Sequence, residues 1–241
     1  MSVALSTKLI PAEERLIVAL DLPNSEEAWQ LVQRLGESVR FYKIGLELFM
    51  SGDYFGVLER LVEARKKVFV DLKFLDVPET VRSAVRGLRN RGVSFATVHG
   101  NQSIMEAAGA DKGEVKILAV TVLTSLDRGD LDDLGFQCEV QDLVLSRARR
   151  ALAAGCDGVI SSGLEAPLIK AELGERVMVV TPGIRPVENR PSDDQKRTVD
   201  VAQAFRNGAD YIVVGRPIRQ ASEPRAAAEK MQQTIADLFA H

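Results

Sequence analysis

Short β-branched apolar runs alternate along this chain with longer segments of helical period, and that alternation constrains the fold more than any other feature. The first run, Leu16 to Asp21 (LIVALD), stops at a Leu-Pro-Asn turn. Ser25, Glu26 and Glu27 then read as a helix start, with a capping oxygen and acidic residues favoured by the helix dipole. Ala28, Leu31, Val32 and Leu35 follow at i, i+3, i+4 and i+7, and Gly36 closes the element. The unit recurs. FYKIGLEL precedes a helix carrying Leu58, Leu61 and Val62, and KVFVDLK precedes one carrying Val81, Ala84, Val85 and Leu88. Further strand candidates are SFATVH, KILAVTVL, DGVISS, RVMVVTP and YIVVG, the last followed by a closing helix through Met231, Ile235 and Leu238. Strands buried on both faces, roughly eight of them, predict an α/β fold of the closed (β/α)8 TIM-barrel type rather than an open sheet.

The 241 residues suit one such barrel. No linker, charge block or low-complexity run divides them, so residues 1–241 read as a single domain. An apolar fraction of 46% supplies the core, and a net charge of −3 gives no sign of affinity for nucleic acid or anionic membranes. Cys138 and Cys156 lack metal-like or redox spacing, which suggests free thiols in a reducing cytoplasm. The N-terminus has no apolar stretch fit for a signal peptide, and no window approaches a transmembrane span. A cytoplasmic protein is expected.

In barrels of this type the C-terminal strand ends carry the chemistry. In KVFVDLKFLDVPET, strand period 2 puts Asp71 and Lys73 on one face, with Val70 and Leu72 on the other toward the helices. Asp76 falls in the following loop, before Pro78 opens a helix. Asp21 ends the first strand, and Lys43 interrupts an apolar second strand. One Asp–Lys pair would be explained by ordinary ion pairing at the barrel end. Alternating charges on three consecutive strand ends favour function, because buried charges are poor devices for stability alone.

A second cluster lies near the end of the chain. TPGIRP follows the seventh strand candidate and VVGRPI contains the eighth, where barrels often bind phosphate. Gly183 and Gly215 would let backbone N–H groups approach an anion, and Arg185 and Arg216 would supply forked donors. The bland reading of both arginines is surface ion pairing. The intervening polar segment, GIRPVENRPSDDQKRTVD, has the length of a lid or of a plain surface loop. His99 has no nucleophile or ligand spacing beside it and reads as structural, Trp29 as packing, Cys156 as core, and the Arg147, Arg149, Arg150 cluster as a solvated helix face.

At these residues the chain resembles the orotidine 5′-monophosphate decarboxylase family over essentially its whole length. DLKFLDVPET matches that family's D-x-K-x-x-D-[IV]-P-x-T signature from Asp71 through Thr80; ALDLP, YKIGLELF, VTVLTS, TPGIRP, DDQKR and VVGRPI occur in the family's order. The resemblance implies decarboxylation without a cofactor or metal, by a homodimer with shared active sites acting on a small nucleotide. It implies that Lys73 protonates the ring carbon left by carbon dioxide, that Asp71 faces the substrate carboxylate, and that Lys43 pairs with Asp71 and the ribose. It further implies that Asp76 and Thr80 reach the neighbouring subunit's site, that Asp21 holds ribose hydroxyls, and that Thr124 meets the pyrimidine edge. Arg185, Gln195, Gly215 and Arg216 would surround the phosphate, with Gln195 on the lid. Two other readings stay open: a magnesium-dependent sugar-phosphate lyase or synthase with a similar Asp–Lys array, and a non-enzymatic sensor of phosphorylated ligands.

Overall fold

In the computed structural model, which describes residues 5–185 and 197–240, eight parallel strands close into a barrel in sequence order. The first half runs β1 (Leu16–Ala19), α1 (Ser25–Leu35), β2 (Phe41–Gly45), α2 (Leu46–Phe49), α3 (Tyr54–Glu63), β3 (Lys67–Phe74), α4 (Pro78–Arg86), β4 (Val93–His99) and α5 (Gln102–Ala110). The second half runs β5 (Lys116–Val120), α6 (Arg128–Asp133), α7 (Val140–Ala153), β6 (Gly158–Ile160), α8 (Ala166–Leu173), β7 (Met178–Thr181), α9 (Val201–Arg206), β8 (Tyr211–Val214), α10 (Arg216–Arg219) and α11 (Pro224–Leu238). Ile17 pairs with Phe41 on one side and with Val213 on the other, so the first strand closes the ring onto the eighth. Each of the eight runs read from the sequence contains one of these strands. Among the described residues, no helix is long and apolar enough to cross a membrane.

Period 2 along each strand divides the apolar side chains into two cores. Inward-facing Ile17, Phe41, Phe69, Phe95, Leu118 and Tyr211 fill the barrel, while outward-facing residues such as Val18, Ile44, Val70 and Ile212 join the helices in a larger shell. Three aromatic rings surround Phe95: Phe41 at 4.9 Å between centroids, Tyr211 at 5.1 Å and Phe69 at 6.0 Å. This plug closes the barrel beneath the charged strand ends.

Two local expectations need correction. The run FYKIGLEL is not all strand: Leu46–Phe49 turns into α2, burying Leu48 and leaving Leu46 exposed. A short apolar run reads the same in either geometry. The cap of α1 is Asn24 rather than Ser25, its side chain accepting from the Glu27 backbone N–H at 2.8 Å. Gly36 ends the helix as expected, at a positive φ of 54°. The segment before β1 is also tied down. Arg15, fully buried, donates to the carbonyls of Asp210 and Lys8 and lies over the Phe239 ring.

Truncating the centre of the plug, Phe95→Ala, should cost about 3–5 kcal/mol in urea unfolding. A loss below about 1 kcal/mol would mean that the inner rings do not support the barrel.

Candidate functional site

The charged strand ends converge at the C-terminal mouth of the barrel. Lys43 on β2 is buried, its Nζ 2.8 Å from Asp21 Oδ1 and 3.4 Å from Asp71 Oδ2. Lys73 Nζ donates to Asp71 Oδ1 at 3.0 Å. One carboxylate therefore stands between two ammoniums. Burial alone would push the Asp71 carboxyl up; the Lys43 and Lys73 charges, with hydrogen bonds from Lys73 and Thr97, hold it below the ordinary carboxylate value. Burial would likewise lower Lys43, but Asp71 and Asp21 outweigh it and raise the amine. Gly45 preserves this packing: a Cβ there would lie 3.0 Å from Lys43 Nζ and 3.3 Å from Asp21 Oδ1.

Lys73 reaches the mouth by a route that strand alternation does not describe. Its φ is +48°, in the left-handed region that side chains avoid, and the β3–β4 register shifts between Val70 and Phe74. Such irregularities re-aim a side chain at the cost of ladder pairing. Here Thr97 of β4 compensates: its Oγ1 accepts from the Lys73 backbone N–H at 3.0 Å and donates to Asp71 Oδ1 at 2.9 Å. The expectation that both charged side chains face the mouth is met, while Leu72 packs toward the helices.

Two cavities meet at this array. The first, about 200 Å³, is lined by Lys43, Asp71 and Lys73 on one side and by Thr124, Ser125 and Ile160 on the other. The second, about 140 Å³, is lined by Asp21, Lys43, Arg185, Gly215, Arg216 and Arg219. Lys43 belongs to both. The second cavity is rich in cations and suits an anion. Its wall includes Gly183, whose φ of +76° favours glycine. A larger cavity, about 630 Å³, opens at the opposite end, among the starts of the strands, and contains none of the array.

Of the residues singled out from the sequence, Asp21, Lys43, Asp71, Lys73, Thr124, Arg185, Gly215 and Arg216 thus line the two joined cavities. Asp76 and Thr80 do not; both are exposed, and Asp76 Oδ1 accepts from the Val77 backbone N–H. Gln195 and the segment 186–196 lie outside the described residues. Sequence reading missed Thr97 and Arg219. A hydroxyl two residues from Phe95, on the inward face of β4, was the available signal for Thr97. Arg219, one helical turn beyond Arg216, sits 3.9 Å from Glu47 and had none. Arg147 is no solvated residue. It is half-buried, donates to the Thr121 carbonyl and faces the Phe136 ring, whereas Arg149 pairs with Glu172 at the surface. His99 is half-buried, and burial, then Arg147 and Lys73, push its imidazole down. Burial pushes the Cys156 thiol up to about 12, as suits a core residue.

Residues 14–231 match the model of the Orotidine 5′-phosphate decarboxylase / HUMPS family. The chain is 69% identical over 236 residues to the orotidine 5′-phosphate decarboxylase of Methylococcus capsulatus, covering 98% of each chain. It is 54% identical over 230 residues to that of Stenotrophomonas maltophilia, covering 95% of each. Among solved structures, the orotidine 5′-phosphate decarboxylase of Lactobacillus acidophilus superposes with a TM-score of 0.80 at 34% identity, over 92% of this chain and 99% of that one.

The geometry assigns Thr97 a testable part. Thr97→Val removes the hydroxyl bridging Lys73 and Asp71 and should cost about 1–3 kcal/mol, because the part-buried Lys73 N–H loses its acceptor and the buried Asp71 carboxylate loses a donor. With its folded pKa depressed, Asp71 contributes stability fully above the unfolded value of about 3.9 and loses it as pH falls through the folded value. That acid-dependent share should shrink in the variant. Unfolding free energies that track wild type from neutral pH into acid would sink the assignment.

Proposed function

Because the chain belongs to the Orotidine 5′-phosphate decarboxylase / HUMPS family, we propose that it is a carboxy-lyase converting orotidine 5′-monophosphate to UMP and carbon dioxide in pyrimidine biosynthesis. The observation that carries the proposal is the sharing of Asp71 between Lys43 and Lys73 at the wall of one cavity, with a cation-rich cavity adjoining through Lys43. The pyrimidine ring occupies the first cavity and the phosphate the second. Loss of carbon dioxide leaves an electron pair on a ring carbon with no neighbouring carbonyl or imine to receive it. The Lys73 ammonium stabilises that charge and then transfers its proton to the same carbon, forming the new C–H bond. Asp71 keeps a negative charge near the departing carboxylate, which is repelled more before reaction than after. Lys43 joins Asp71 to Asp21, which holds the ribose hydroxyls, and Thr124 meets the ring edge. Positive charge comes from two lysines, so the proposed reaction uses no cofactor.

The phosphate supplies binding energy at a distance from the chemistry. Arg185, Gly215 and Arg216 grip it, joined by Gln195 from the segment proposed to close over the site, and the energy gained orders the charged array and excludes water. The proposal includes a cytoplasmic homodimer. Leu46, Met50, Leu75 and Val77 are more than half exposed on the two adjacent rim connections after β2 and β3. Such apolar surface favours burial against a second copy. Asp76 and Thr80, exposed beside it, would then enter the partner's site. Two free cysteines suit a reducing compartment.

The decisive measurement is ultraviolet detection of orotidylate consumption by purified protein in excess chelator. Sustained turnover is expected, and loss of activity restored by magnesium would favour the metal-dependent lyase reading instead. Lys73→Ala should keep the fold and bind UMP but lose turnover; near-wild-type decarboxylation would remove the proton donor. Mixing Asp76→Asn with Lys73→Ala should recover part of the activity through hybrid dimers that contain one unaltered site. No recovery after subunit exchange would argue against sharing.

A further inference from the structure

One buried ion pair near the mouth takes no part in the steps above. Glu165, 3% exposed at the start of α8, accepts from Arg197 Nη1 at 2.7 Å and from the Ser162 hydroxyl. The other arm of the same guanidinium, Nη2, donates to the carbonyls of Val122 at 3.2 Å and Leu123 at 2.9 Å. Those carbonyls immediately precede Thr124 and Ser125, which line the first cavity. Two residues beyond Arg197, Val199 accepts from the Arg185 backbone N–H at 2.9 Å and forms a bridge with Ile184. Arg185 and Gly183 line the second cavity. A short path of described atoms thus runs from the loop after β5, through Arg197, to the connection after β7.

Burying two charges is a weak route to stability, and such pairs are best attested where they fix register. The residue type fits that role. A planar guanidinium can meet a carboxylate with one arm and two carbonyls with the other, whereas an ammonium is a single point of charge. We infer that Arg197, held by Glu165, is a positioning residue that keeps the ring-side loop in register with the phosphate-side connection, so that phosphate binding organises the ring cavity. The inference rests on the decarboxylase reading above, which has phosphate binding order the site, and adds the residue pair through which that ordering reaches the ring-side loop.

The test compares kcat and KM for orotidylate and for orotidine, its unphosphorylated nucleoside, in wild type, Arg197→Lys, Glu165→Gln and the double variant. The ratio of the two kcat/KM values reports what the phosphate contributes. In Arg197→Lys it should fall about 10- to 100-fold, the scale of a misplacement near 1 Å. Glu165→Gln should lower it in the same direction, and the double variant no further than the worse single one. If Arg197→Lys does not fold, Glu165→Gln gives the same readout. A purely structural pair would lower the thermal midpoint and slow both substrates in equal proportion; that result, or an unchanged ratio, overturns the inference. Wild-type protein that fails to consume orotidylate would instead overturn the decarboxylase reading beneath it.

Discussion

A single carboxylate held between two ammoniums governs this structure. Burial works against the charge on Asp71 and on Lys43 alike; Lys43 and Lys73 outweigh it at Asp71, and Asp71 and Asp21 outweigh it at Lys43. Each member makes the others tolerable. Removing one partner from such a buried set typically costs about 3–5 kcal/mol, because a charge is left without compensation. The array is therefore held together by its own ion pairs, each side chain positioned by the next.

The fold gives that array a floor and walls. Phe41, Phe69, Phe95 and Tyr211 fill the barrel below it, so charge and hydrocarbon are stacked along one axis. The charged residues then face only the mouth, where two adjoining cavities share Lys43. One cavity offers charges of both signs beside hydroxyls, the other mainly cations. A ligand spanning both would carry an anion at one end and a polar ring at the other. That is the shape of a nucleoside monophosphate.

Much of this was legible in the sequence, for reasons particular residues illustrate. The strands stood out because burial on both faces demands continuous apolar runs, and charges at their ends stood out against that background. Asp71, Lys73 and Lys43 were visible for this reason. Thr97 was not, because a threonine in a strand is unremarkable by propensity, and its two hydrogen bonds exist only in three dimensions. The helical turn at Leu46–Phe49 was hidden because four residues are too few to show a period. Arg197 stood in the DDQKR run beside Gln195, but its partner Glu165 is 32 residues away in the chain, and pairing at that distance leaves no local mark.

The left-handed backbone at Lys73 bears on how such a chain can change. Glycine would adopt that conformation more easily than any residue with a side chain, so local preference and chemistry pull in opposite directions at this position. Drift toward a more relaxed β3 would erase the amine that the mouth is built around. The tension can persist only while the surrounding barrel, through Thr97 and its neighbours, keeps enough stability in reserve to absorb it.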